Sequence, residues 1–318
     1  MRRGLRQNCL LLCACLLLTP LGGCVAHKNE GQGDKLQVVA SVFAAYDFAR
    51  QIAGDRAEVT LLLPPGTDSH YYEPTLADLT RINAADVLIF NGGEDEAWAT
   101  ELTDQLSPAP RQVVTMMQEV PLLHEPHAHT QEDGHKDHHG HEDSLDPHVW
   151  TSIANAKLIC QAICKALCAA DPAGAAEYEA ALTRYLVSLD AMDAQFSKLI
   201  QESGRTLVFA DRFAFRYFAQ AYDLPYLAAF DGCSGETEPT LETVVELTQA
   251  VKQQALTTVF TADFSTQAAA NAIARQTDVQ VLRLQSCHNV TREDAAAGVT
   301  YLSLMQRNYE CLKEAWGA

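Results

Sequence analysis

The chain reads as an α/β protein of two small parallel-sheet domains joined by one long rigid helix, with a metal site in the cleft between them. Three observations lead there. Short apolar runs rich in Val and Ile alternate with amphipathic runs, which is the pattern of parallel βα units. In the middle, Tyr178, Leu182, Tyr185, Leu189, Met192, Phe196 and Leu199 follow one another at steps of four and three, an apolar stripe on a helix. That helix has about 30 residues and is roughly 45 Å long, longer than one small domain needs. Finally, 8 of the 11 histidines fall between His124 and His148.

From the start, Arg2, Arg3 and Arg6 precede an apolar run, Cys9 to Leu18, of secretory length. Leu21-Gly22-Gly23-Cys24 then resembles a bacterial lipobox, so residues 1–23 read as a lipoprotein signal peptide and Cys24 as the lipidated N-terminus. Residues 24–34 form a polar tether. No later stretch reads as a membrane span, so attachment is expected through lipid alone. The net charge of −18 argues against a nucleic-acid partner and suits a protein that handles cations.

Residues 35–170 are read as the first domain. Strands are expected at Leu36–Ser41, Val59–Leu63, Val87–Asn91 and Gln112–Thr115, and a helix over Val42–Ala53 ending at Gly54. Thr75 and Asp78 have the spacing that caps a further helix. Ser152 to Ala170 is amphipathic. Asp171, Pro172 and Gly204 bound the linking helix, residues 171–204. The C-terminal domain, residues 205–318, repeats the alternation, with strands at 206–210, 226–230, 257–261 and 279–284 and one last helix over Arg292–Trp316. Glu73-Pro74-Thr75-Leu76 recurs as Glu238-Pro239-Thr240-Leu241, each time ahead of a helix, as two similarly built halves would have it.

Cys160, Cys164 and Cys168 recur every four residues among apolar neighbours and read as small buried hydrophobes. Cys233 and Cys287 each follow an expected strand, and in an exported protein a disulfide between them is expected.

Ligands of open parallel sheets bind beyond the carboxyl ends of the strands. The metal-competent residues expected there are His70, Asp211, Cys287, His288 and, at the end of the histidine stretch, His148. His124, His127, His129, His135, His138, His139 and His141 lie among acidic residues, with hardly an apolar one between Ala128 and Ser144. The segment 124–143 is therefore read as an accessory loop that collects metal weakly.

Leu63-Pro64-Pro65-Gly66, then His70, then Tyr72-Glu73-Pro74-Thr75 resembles the first metal motif of the extracytoplasmic substrate-binding proteins of zinc and manganese ABC transporters. Asp146-Pro147-His148-Val149-Trp150 resembles the second, and an acidic His-rich loop ahead of it is typical of the zinc-specific members. The resemblance covers most of residues 35–316. It implies a non-enzymatic, monomeric protein, held by lipid on the outer face of the bacterial cell membrane, that captures Zn²⁺ and delivers it to a membrane permease. Manganese is the less expected cargo, and a surface-adhesin role and a zinc hydrolase are the alternatives. The resemblance implies His70 and His148 as ligands. Where the family has a third histidine, Val208-Phe209-Ala210-Asp211-Arg212 has none. His288 is taken to supply that nitrogen and Asp211 the fourth donor, with Glu236 and Cys287 behind it. Three nitrogen donors favour zinc over oxygen-preferring manganese.

Overall fold

The computed structural model describes residues 35–67, 72–105, 112–124, 145–230 and 239–318. The expected signal peptide, Cys24 and the tether lie outside the described residues, as do His70, Glu236, Cys233 and the histidines from His127 to His141.

Two four-stranded, wholly parallel sheets carry the fold, as expected. The first contains β1 (Leu36–Ala40), β2 (Ala57–Leu61), β3 (Val87–Phe90) and β4 (Gln112–Thr115) in the order β2-β1-β3-β4. The second contains β5 (Leu207–Arg212), β6 (Tyr226–Phe230), β7 (Thr258–Ala262) and β8 (Gln280–Leu284) in the order β6-β5-β7-β8. The two orders are the same, element for element. Val38 pairs with both Val59 and Val87, and Phe209 lies between Ala228 and Phe260. All four residues of β3 are buried, whereas the outer strand β6 is half-exposed. A parallel strand covered on both faces is apolar throughout, which is why Val87-Leu88-Ile89-Phe90 does not alternate.

The helices are α1 (Phe43–Ala53), α2 (Leu76–Ala84), α3 (Ala97–Gln105), α4 (Ile153–Ala170), α5 (Ala175–Ser203), α6 (Arg216–Ala221), α7 (Leu241–Gln253), α8 (Ala268–Thr277), α9 (Arg292–Ala297) and α10 (Tyr301–Trp316). The long helix α5 has 29 residues and buries the expected stripe, with Leu182 alone of the seven only partly covered. Asp171 is a cap, but of a single turn at Pro172–Gly174 ahead of α5. Its carboxylate also takes Arg56 at 2.7 Å and the Tyr178 hydroxyl at 2.8 Å, tying the start of α5 to the end of α1.

Three expectations change. The last helix is two: Gly298, at φ +68°, ends α9, and Thr300 opens α10 with a capping box to Ser303. Helix α3 was not expected at all; its apolar periodicity is weak, and acidic residues crowd its start. Helix α4 is, by length and composition, apolar enough to cross a bilayer, but half of it is buried inside the protein. It is a core helix, packed between α1 and α5, with Cys160 and Cys164 turned inward as expected.

The tail of the chain returns to the first sheet. Helix α10 packs on α1 and α5. Its first backbone N–H, at Tyr301, donates to the fully buried carboxylate of Asp47 on α1 at 2.8 Å. One apolar cluster runs from Val38 through Trp150, Leu189 and Phe196 to Trp316, and residues 35–318 form a single compact unit. A break at residue 204 thus separates the two sheets but cuts through one shared core.

Candidate metal centre

His148 sits in the turn that leads into α4, and its side chain is 2% exposed. Its ring Nδ1 lies 3.0 Å from Asp146 Oδ1, which also accepts the His148 backbone N–H at 2.8 Å. A carboxylate beside Nδ1 holds the proton there and leaves Nε2 as the lone-pair donor, the arrangement that orients metal-binding histidines. The turn is gripped from three sides. Asn91, directly after β3, donates its amide to Pro147 O at 2.8 Å. The Tyr217 hydroxyl donates to Asp146 O at 3.0 Å, and Thr151 Oγ1 donates to His148 O at 2.9 Å. Behind Asn91 the buried Glu96 carboxylate accepts the backbone N–H groups of Asn91 and Gly92. Burial pushes this carboxyl up to about 7, against the pull of those hydrogen bonds.

His288 follows β8 in a loop that spans both sheets. Its N–H donates to Ser286 Oγ at 3.2 Å, and its carbonyl accepts the N–H of Phe43, at the start of α1, at 2.9 Å. Ser286 is itself held by Asp263, the residue directly after β7. Asp263 Oδ1 accepts Ser286 N–H at 2.9 Å, and Oδ2 accepts the Ser286 hydroxyl at 3.1 Å. Burial raises the Asp263 carboxyl to about 6; the bonds from Ser286 and the nearby His148 oppose the rise. From the other side, Trp150 Nε1–H donates to Ser286 O at 2.8 Å.

The two imidazoles meet. Their ring centres are 5.4 Å apart at an interplanar angle of 89°, with the Trp150 ring 5.7 Å from His148 and 4.9 Å from His288. Two imidazoles on one tetrahedral zinc, with Zn–N near 2.0–2.1 Å, have centres about 5.2 Å apart, so the spacing suits a shared ion. Among the described residues no three His, Cys, Asp or Glu side chains form a complete cluster.

The other expected donors fare differently. Asp211 lies near the end of β5, where the register to β6 shifts, and its Oδ1 accepts the backbone N–H of Arg212 at 2.8 Å. Cys287 is a buried free thiol, so the expected disulfide with Cys233 is not formed on the Cys287 side. The reason is local. A φ of +60° turns Cys287 into the core, where its Sγ approaches Gln285 O at 3.7 Å. Burial, with Asp263 and Asp47 nearby, holds the thiol far above its ordinary pKa, and its side chain packs in the apolar core. His124 forms an antiparallel bridge with Leu145, and Asp146 N–H donates to Leu123 O at 2.9 Å, so the histidine segment leaves and returns at one point beside the His148 turn.

Asp263 and Glu96 escaped the sequence reading. Both are carboxylates near the end of a central strand. The signal available for Asp263 was its place after the third strand of the second half, the position Asn91 holds in the first.

The family model for the zinc-uptake complex component A, periplasmic (ZnuA), matches residues 38–315. The chain belongs to this family. It is 31% identical over 293 residues to the zinc-binding lipoprotein AdcA of Streptococcus pneumoniae serotype 4, an alignment covering 91% of this chain and 58% of AdcA. It therefore spans a little over half the length of that relative. With the high-affinity zinc uptake system protein ZnuA of Bacillus subtilis it shares 24% identity over 307 residues, 96% of each chain. The crystal structure of the Zn(II)-bound ZnuA-like domain of S. pneumoniae AdcA superimposes with a TM-score of 0.73 at 28% identity, over 89% of this chain and all of that one.

Proposed function

We propose that this protein captures Zn²⁺ outside the membrane, holds it between its two sheets, and gives it up to an ABC permease without chemical change to the ion. The observation that carries the reading is the His148–His288 pair, 5.4 Å apart, each ring delivered by a loop that a buried side chain locks. His70 is the third nitrogen donor of this reading. The fourth is a carboxylate, Asp211 first and Glu236 after it; Cys287 drops out because its side chain is turned into the apolar core. The full ligand set rests on family resemblance for His70, and the nitrogen-rich donors favour zinc over manganese. Capture needs no nucleophile and no general base.

Metal titration of purified protein tests the site. His70→Ala, His148→Ala and His288→Ala are each expected to weaken zinc binding at least 100-fold, about 2.7 kcal/mol. Unchanged affinity in any one removes that residue from the set. Deleting residues 124–141 is expected to leave one tight site and abolish weaker ones. If the tight site goes too, the accessory role is wrong. Anchoring through Cys24 is tested by labelled fatty-acid incorporation, which Cys24→Ala should abolish.

A further inference from the structure

The two most exposed large hydrophobic residues among those described are Leu76, 84% exposed, and Leu241, 80% exposed. Single exposed leucines are ordinary. These two are not independent. Each is the first residue of a helix, α2 and α7, and each follows a proline and a threonine cap. Thr75 accepts the Asp78 N–H at 3.3 Å, and Thr240 accepts the Thr243 N–H at 3.1 Å. Both helices follow the second strand of their sheet, at the same edge of the same strand order. The fold has thus put the same apolar knob at the same place twice. Among the described residues α2 buries Ile82 and α7 buries Val244, Leu247 and Val251, while the leucine at the head of each helix stays exposed.

The location narrows what meets these knobs. In a parallel sheet every strand-to-helix connection emerges at the carboxyl ends of the strands. Leu76 and Leu241 therefore sit on the same side of the sheets as His148 and His288. Each knob has exposed acids close by in sequence, Glu73 beside Leu76 and Glu242 and Glu246 beside Leu241. Val245, one turn on from Leu241 and 42% exposed, widens the second knob.

We propose that Leu76 and Leu241 are paired docking knobs for the membrane permease that takes the metal, inserting into two equivalent apolar sockets with basic rims. A receiver must face the side of the protein from which the ion leaves. A receiver with two equivalent halves around a central path is what two equivalent knobs, one per sheet, match. The acidic surrounds select basic rims and add steering. The proposal rests on the uptake reading above for the identity of the partner.

The test uses the full-length chain, produced in its own host in place of the native copy. Leu76→Asp, Leu241→Asp and the double variant are compared with Val187→Asp, which alters a 65% exposed valine on α5. Uptake of radioactive zinc by zinc-starved cells is read beside zinc affinity and melting temperature of the purified proteins. Each leucine variant is expected to lower uptake at least tenfold, with affinity and melting temperature unchanged, and Val187→Asp to leave all three unchanged. Native uptake in the double variant overturns the proposal. So does uptake loss matched by an equal loss of zinc affinity, which places the effect in the site. Failure of the uptake reading itself looks different: the unaltered protein then binds no zinc and supports no uptake.

Discussion

The two sheets have the same strand order, and each contributes one histidine, yet they hold it differently. In the first, a neutral side chain, Asn91, grips the loop before His148, and the buried carboxylate stands one step behind it, at Glu96. In the second, the carboxylate of Asp263 grips the loop before His288 directly, through both oxygens. The first turn after the strand also differs. Gly92 and Gly93 take φ of +90° and +82° in the first sheet, whereas Phe264 takes +65° in the second. The common device is a buried carboxylate that fixes backbone near a metal-competent imidazole; sequence identity between the halves is not needed for it. The difference is how directly the carboxylate acts. Glu96 acts through Asn91, but Asp263 grips Ser286 itself, with the Trp150 N–H on its carbonyl and Asn308 on the neighbouring Gln285.

Trp150 joins the two devices, so its loss should have the largest effect. Its ring contacts both histidines, its N–H holds Ser286, and its carbonyl accepts the Tyr301 hydroxyl at 2.8 Å. Trp150→Ala is expected to cost about 3–5 kcal/mol of stability, measured by chemical denaturation. A cost under 1 kcal/mol would mean the sheets hold their histidines independently.

Next in size is the contrast between Asp263→Ala and Asn91→Ala. The first strands two donors of Ser286, the second one acceptor at Pro147. Asp263→Ala should cost about 2–4 kcal/mol and weaken zinc binding 10- to 100-fold; Asn91→Ala should cost about half as much. Isothermal titration of both, with denaturation curves, ranks them. Equal effects would erase the distinction drawn here.

Much of this was legible in the residues. The strand–helix alternation, the stripe on α5 and the Thr75 cap follow from period and capping chemistry, which are local. His148 was singled out by the Asp146-Pro147-His148-Val149-Trp150 resemblance and His288 by its place after the last strand, and the fold brings these two rings together. The struts were not. Asp263 in Thr261-Ala262-Asp263-Phe264 looks like any turn aspartate, and Glu96 lies in an acidic run, Glu94-Asp95-Glu96, that reads as solvated. Their roles depend on hydrogen bonds to a loop 23 residues away for Asp263 and on an inward turn for Glu96. The disulfide failed for a related reason: strand ends place Cys287 near the mouth, but the left-handed backbone there turns its thiol to the core.

The buried carboxyls give the comparison a pH signature. Glu96 has its folded pKa raised from 4.5 to about 7, so between those values the folded state holds a proton that the unfolded state has lost. Stability from this group is therefore greatest below about pH 4.5 and declines as pH rises toward 7, by about 3 kcal/mol in full. Asp263, raised from 3.8 to about 6, follows the same sign over a lower window. Glu96→Gln keeps an acceptor for Asn91 and Gly92 but does not titrate. Its melting temperature relative to the native protein should climb between pH 5 and 8, and a flat difference would show that Glu96 does not titrate in that range.

The smallest expected effect concerns the turn after each strand. Phe264 is 41% exposed and holds a left-handed backbone that side-chain-bearing residues adopt at a cost of about 1–2 kcal/mol. The first sheet avoids that cost with glycine, and there the glycine is also needed for space, because a Cβ on Gly92 would lie 2.8 Å from Thr115 Cγ2. Phe264→Gly should therefore be close to neutral or stabilising by up to about 1 kcal/mol, since relief of strain is offset by a freer unfolded chain. Gly92→Ala should be destabilising by more than that, from strain and contact together. Denaturation of the two variants side by side decides it. If Phe264→Gly is instead strongly destabilising, the aromatic ring is holding the Asp263 turn, and the second sheet has replaced a glycine's freedom with a packed side chain.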